Sequence, residues 1–332
     1  MSPVTLQNIL VIVEHSEGNW PTPATLRAVS FAQYLAQLSG GDWSICVFQA
    51  EAAITAGLRN LGARRLFACP VDEQRKLLPE FLAPSVCSLI REREFDCIIG
   101  AETSLGKDLL PRIAGALHAP YVGGCTGVHL DEYGTRFLKP VYAGNAVLEC
   151  QAQEGPVVVA LGSAAFGPAA PTHAECPVVP VAVVDTGATA QGVELLGVDV
   201  SSSERPDLAE ARTIVSGGRM LGKGFFELLG PLADLYGAAL GATRALCDLG
   251  HVPSNLQVGQ TGRIVSPDLY FAIGISGSVQ HLAGMRGSRV IVAINNDPDA
   301  PIFAHADLGL VADMWHAVPC LVGELAAAHR TR

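Results

Sequence analysis

Residues 257–285, QVGQTGRIVSPDLYFAIGISGSVQHLAGM, hold the chain's best candidates for chemistry: two glycine-broken turns around one apolar run. The run, 269–275, is short, aliphatic and aromatic, and reads as a buried strand. Ser276 and Gly277 close it. Ser278, Val279, Gln280 and His281 then read as the first turn of a helix. A strand, a small-residue turn and a helix start gather free backbone N–H groups and the positive end of a helix dipole at one place, which stabilises a phosphate. These residues predict a nucleotide-type cofactor with its pyrophosphate near 276–281.

Other polar residues stand at comparable places. Arg219 follows Gly217-Gly218, and Thr243-Arg244 follows a long apolar helix pattern. Val258, Gly259, Gln260 and Thr261 form a glycine-bounded polar turn. Asn295 ends one apolar run; Asp313, followed by Met314, ends another. Taken singly, each has an ordinary reading: an exposed arginine after a turn, a basic residue at a helix C-terminus, a turn or cap residue. Taken together, Arg219, Ser276, Asn295 and Asp313 each end a strand-like run. Ligands of open parallel sheets bind beyond the carboxyl ends of strands, so one crevice would collect all four.

The elements that would position them alternate through the chain. Strands are predicted at 8–13, 44–48, 95–100, 213–215, 269–275, 290–294 and 308–311, and helices at 26–38, 109–117 and 225–240. Thr22 and Pro23 make an N-cap and first helical position. Such alternation predicts α/β architecture with mainly parallel sheets flanked by helices. The length of 332 residues suits about two domains. We place them at 1–188 and 209–332, joined by a small-residue, polar connection at 189–208 with one short strand at 193–196.

Composition excludes several classes. A formal net charge of −10 and the lack of a lysine- or arginine-rich run argue against nucleic-acid or anionic-membrane surfaces. Nine cysteines form no CxxC pair, and several lie inside apolar runs, so buried reduced thiols are expected. His305, His316 and Cys320 have no partner at metal spacing and read as structural. No apolar run is long enough to span a bilayer, and the chain enters strand 8–13 almost at once, so a cytoplasmic location is expected. Residues 100–107 lack phosphate-loop spacing, with Asp108 where Ser or Thr should hold a metal.

QVGQTGR, GISGSVQHLAGM, INNDPDAPIF and VADMW, in this order and spacing, resemble the FAD-binding half of electron transfer flavoprotein alpha subunits. ILVIVEH, LGKDLLPRIAG and KPVYAGNAVLECQ resemble the first domain of the same family. Gly162 departs from it, since an arginine often stands four residues before the phenylalanine found here at 166. The resemblance implies FAD in a Rossmann-like C-terminal domain and a heterodimer with a beta subunit. Electrons would come from flavin dehydrogenases and pass to a quinone-linked reductase, with no catalytic acid, base or nucleophile. It implies that Arg219 reaches the cofactor phosphates and that Thr243 and Arg244 contact the flavin. Thr261 would bond near flavin N5, with Gln260 and the Val258-Gly259 backbone alongside. His281 would stand near the N1–C2 carbonyl edge, and Asn295, Asp313 and Met314 near the adenosine half. A cationic and a neutral His281 would both serve as donors. Within the family, the alternative is an electron-bifurcating or nitrogen-fixation-associated alpha subunit. Outside it, a nicotinamide-dependent dehydrogenase would need a GxGxxG fingerprint where His15-Ser16-Glu17-Gly18 stands. A non-redox adenine-nucleotide sensor would bind nucleotide without colour.

Overall fold

The computed structural model of the chain describes residues 6–14, 21–48, 52–71, 77–142, 144, 146–152, 155–162, 166–172, 174–184, 193–197, 205–209 and 211–330. The chain divides into two compact units, Met1–Val200 and Ser201–Arg332.

The first unit alternates β1 (Asn8–Val13), α1 (Pro23–Ser39), β2 (Asp42–Val47), α2 (Ala52–Arg59), β3 (Leu66–Ala68), α3 (Pro79–Arg93), β4 (Cys97–Ala101) and α4 (Ser104–Leu117). It continues with β5 (Tyr121–Cys125), β6 (Gly127–Asp131), β7 (Gly134–Val141), β8 (Ala146–Gln151), β9 (Val157–Leu161) and β10 (Val178–Pro180). Seven strands form one sheet in the order β10-β3-β2-β1-β4-β9-β5, and every pairing is parallel. Ile9, Val11 and Val13 pack with Phe31 and Leu35 of α1; Leu10 and Ile12 pack on the opposite face with Leu89 of α3 and Ile113 of α4. A strand covered on both faces must be apolar at nearly every position, which explains the unbroken run ILVIV. Each such side chain contributes roughly 1.5–3 kcal/mol on burial, against about 0–1 for an exposed ion pair, so packing dominates here. Thr22 caps α1 as the sequence predicts, its Oγ accepting the Thr25 N–H at 3.1 Å, with Pro23 opening the helix. The loop at His15 to Gly18 lies outside the described residues. Of the segment KPVYAGNAVLECQ, residues 139–141 lie in β7 and 146–151 in β8, antiparallel neighbours in a separate sheet, β6-β7-β8.

The second unit runs β11 (Thr213–Gly217), α5 (Phe225–Tyr236), β12 (Ala239–Ala242), α6 (Arg244–Asp248), β13 (Leu269–Ile273), α7 (Val279–Met285), β14 (Ile291–Asn295), β15 (Leu308–Val311) and α8 (Met314–Arg330). Its sheet order is β12-β11-β13-β14-β15, again all parallel. This is a doubly wound order in which the order of the strands reverses between β11 and β13. Val215, Phe271 and Ile273 face α5 and α8, while Ile214, Tyr270 and Ala272 face Leu282 and Met285 of α7. Both units are thus α/β with parallel sheets flanked by helices.

Two expectations are corrected. The helix expected to run through 240 stops at Gly237, which takes the left-handed φ of 55°, and residues 239–242 form β12. ALGA continues a helical pattern by composition, and only its burial against β11 makes it a strand. Residues 193–197 form no strand: Val193 and Leu196 are exposed, and no neighbouring edge pairs with them.

Glu14 directly follows β1, whose neighbours β2 and β4 lie on opposite sides. The Thr103 hydroxyl donates to its carboxylate. Thr103 also caps α4, accepting the Gly106 N–H at 3.0 Å. A carboxylate therefore sits at the first turn of α4, where an anion is favoured. Burial nevertheless raises its pKa from an ordinary 4.5 to about 7, opposed by the bonds from Thr103 and Gly106. Because the folded-state value is the higher one, stability is full below pH 4.5 and declines as pH rises toward 7. Glu14→Gln keeps the acceptor oxygen and is expected to remove that decline, on the order of 3 kcal/mol at alkaline pH. Urea-unfolding midpoints of both proteins across this range check it, and parallel pH profiles would refute it.

Candidate functional site

The ends of β11 and β13 meet almost without side chains. The Gly218 N–H donates to the Ile273 carbonyl at 2.9 Å. A Cβ on Gly218 would overlap the Gly274 carbonyl oxygen, so no other residue fits there. On the other side of β11, the Thr243 N–H donates to the Gly217 carbonyl at 3.0 Å. Thr243 thus follows a strand, β12, instead of the helix end read from sequence, and stands on the same rim as Gly218.

The GQTG turn is tied to that rim and to α7. Val258 donates its N–H to Ala242 at 2.9 Å, and Gln260 donates its N–H to the Gln280 carbonyl at 2.8 Å. Gln257 Nε2 donates to the Thr261 hydroxyl at 2.9 Å, which leaves the hydroxyl hydrogen free to donate elsewhere. Gln260 and Thr261 are exposed, whereas Val258 and Gly259 are buried.

After β13 the chain turns through Gly277, at φ 87°, where a Cβ would strike the backbone of Ile302. Ile302 donates its N–H to the Ser276 carbonyl at 3.1 Å, pinning the turn. Ser276, Ser278, Val279 and Gln280 are exposed along it. The helix start expected here is α7, although it is only seven residues long. His281 lies on its buried side, with Nε2 3.0 Å from the Tyr270 hydroxyl. Burial pulls its pKa from 6.5 to about 4, partly opposed by the nearby Val258 carbonyl, so the ring is neutral at pH 7. Burial thus favours the neutral of the two donor forms.

The topology brings Arg219, Thr243, Arg244, residues 258–261, residues 276–281, Asn295 and Asp313 to the carboxyl end of one sheet. They differ in how free they are. Arg219 is exposed, while Arg244 forms an exposed ion pair with Asp248 at 3.4 Å. Asn295 is buried: its Nδ2 donates to the Ile275 carbonyl at 2.9 Å, and its Oδ1 accepts the Asp297 N–H at 3.0 Å. Asp313 caps α8 by accepting the Trp315 N–H at 3.0 Å, and its other oxygen is 3.3 Å from His316 Nδ1. Met314 is buried, and its Sδ closes over Gly274. Asn295 and Asp313 therefore already serve their own chain.

A nucleotide cofactor suits this rim on two grounds. The glycines seat the turns backbone against backbone, so that Ser276 and residues 278–280 stand exposed at the start of α7. Thr243 Oγ1 and His281 Nδ1 are buried without a hydrogen-bond partner, and buried polar atoms rarely stay so unless a ligand or water completes them. Ser216 Oγ, on the same sheet, is the one buried orphan here that sequence reasoning missed; a lone serine inside an apolar run gave no signal. Among the described residues, no cluster of His, Cys, Asp and Glu could hold a metal. Of the nine cysteines, all free, six are buried, Cys150 and Cys247 are half-buried and Cys320 is exposed; burial pushes Cys69 and Cys125 up to about 11. Among the described residues, no helix is long and apolar enough to cross a membrane.

Comparison with known proteins covers both units. Residues 207–286 match the electron transfer flavoprotein FAD-binding domain, a segment holding every candidate residue except Asn295, Asp313 and Met314. Residues 9–186 match the electron transfer flavoprotein domain. The chain is 41% identical over 324 residues to a probable mitochondrial electron transfer flavoprotein subunit alpha of Caenorhabditis elegans, covering 96% of this chain and 94% of that one. It is 38% identical over 333 residues to a protein of the same description from Cryptococcus neoformans var. grubii, covering 96% and 92%. It is 39% identical over 315 residues to the electron transfer flavoprotein subunit alpha of Pseudomonas aeruginosa, covering 94% and 97%. The chain belongs to the electron transfer flavoprotein alpha-subunit family, whose members bind FAD and carry electrons without being enzymes.

Proposed function

We propose that this chain works as half of a heterodimer with an electron transfer flavoprotein beta subunit, taking electrons from flavin dehydrogenases and delivering them to a quinone-linked reductase. The observation that carries the proposal is the rim of the second unit. There, two arginines and two unpartnered buried polar atoms share one sheet end with side-chain-free backbone. Its nine free thiols suit a reducing compartment, and we assign the cytoplasm. Two of the relatives named above carry the word mitochondrial in their descriptions, whereas the Pseudomonas protein does not.

FAD supplies a ring system that takes up and releases electrons singly. The protein's part is to hold it and to set its potential. Arg219 offers a forked, permanently charged donor suited to phosphates. The backbone of the exposed residues 276 and 278–280 and the hydroxyls of Ser276 and Ser278 add further donors at the same turn. Thr243 and Thr261 offer hydroxyl hydrogens to the ring, as the orphaned Oγ1 of Thr243 and the Gln257 bond of Thr261 both allow. Arg244 places a charge that cannot be lost near a group that becomes more negative on reduction. His281, neutral, offers one N–H instead of a charge. Asn295, Asp313 and Met314 shape the adenosine end through backbone they already hold. Val258, Gly259, Gln260, Gly277, Val279 and Gln280 line the turn between these groups.

Stepwise anaerobic reduction of the protein, followed by visible absorption, tests the reading. Bleaching in two one-electron stages is expected; a single two-electron stage would contradict it. Arg244→Ala is expected to lower the potential of the first electron by about 60 mV, one tenfold change in its equilibrium. Unchanged midpoint potentials would remove Arg244 from the account.

A further inference from the structure

His281 is buried, and another buried side chain meets one of its two ring nitrogens. Tyr270, in β13, is fully buried, and its ring lies 6.2 Å from the imidazole at an angle of 59°. Its hydroxyl is 3.0 Å from Nε2. A neutral imidazole carries one hydrogen, on either nitrogen, while a phenol carries one hydrogen and can both donate and accept. Burial keeps the histidine uncharged and holds the Tyr270 hydroxyl protonated, well above its ordinary range.

Two arrangements satisfy the short contact. If Nε2 carried the hydrogen, the tyrosine would accept it and its own O–H would need another acceptor. Ser216 is the adjacent hydroxyl, close enough to soften the Tyr270 shift, but its Oγ makes no well-formed hydrogen bond. If Tyr270 donates to Nε2 instead, its hydrogen is used in the one good geometry it has, and the imidazole hydrogen must lie on Nδ1. The Val258 carbonyl lies near the ring, but Nδ1 makes no well-formed bond to it. Nδ1 is then a buried donor without a protein partner, a costly state that a ligand acceptor would relieve.

We propose that Tyr270 is a positioning residue: its hydroxyl donates to His281 Nε2 and fixes the histidine in the tautomer that presents Nδ1–H. That this N–H serves FAD rests on the functional reading of His281; the tautomer itself does not.

Nitrogen-15 NMR of histidine-labelled, FAD-loaded protein reads the tautomer directly, with His281→Gln providing the assignment. The wild type is expected to show a protonated Nδ1 and a bare Nε2 near neutral pH. Tyr270→Phe is expected to weaken that preference roughly tenfold, the factor one ordinary hydrogen bond supplies. It should also shift the flavin midpoint potential in the direction His281→Gln shifts it. A wild-type proton on Nε2 would overturn the proposal even if Tyr270→Phe failed to fold. So would a tautomer ratio indifferent to the substitution. A responsive tautomer with potentials unmoved in both variants would uphold the Tyr270 role and refute the contact between His281 and FAD.

Discussion

The second unit depends on two parallel strand ends meeting without side chains between them. The N–H of Gly218 bonds to Ile273, and only the missing Cβ lets the backbone of Gly218 lie against Gly274. That approach lies where the order of the strands reverses, and ligands of doubly wound sheets collect at such places. Everything around it follows the same economy of side chains. Gly277 lets the next turn seat against Ile302, and Met314 covers Gly274 from the start of α8. Turns pinned by backbone bonds hold their N–H groups fixed, so these need no reorganisation when an anionic group arrives.

The polar groups left incomplete at this rim carry the link between stability and function. Thr243 Oγ1, His281 Nδ1 and Ser216 Oγ are buried without hydrogen-bond partners. Each such atom costs about 1–3 kcal/mol when nothing completes it. A ligand that completes them binds the folded state alone and stabilises it by mass action. Elsewhere the chain takes the opposite course. Glu14 is completed from within by Thr103, so the first turn of α4 is already occupied by a side chain of the same unit. The two units thus share an α/β plan but treat their strand ends differently.

Much of this was legible in the sequence because the governing interactions are local. The Thr22-Pro23 cap, the apolar run of β13 and the polar ends Asn295 and Asp313 lie within a few residues of what defines them. Features set by distant parts of the chain were not legible. β12 reads as a helix until β11 lies beside it, and the 193–196 run reads as a strand until no partner edge appears. The β6-β7-β8 sheet hides in a hairpin whose residues resemble any polar turn. Glu14 and Thr103 stand 89 residues apart, and Tyr270 meets His281 from a different element 11 residues away. The same distance effect altered Thr243, which changed from a helix end to a strand end once Gly237 stopped α5.

The most direct test of where FAD sits is amide hydrogen exchange of the protein with and without bound FAD. The account predicts slowed exchange confined to the rim of the second unit, around residues 217–219, 243–245, 258–262, 274–281 and 295–297. Protection centred on Glu14 and the start of α4, with the second-unit rim unchanged, would contradict it.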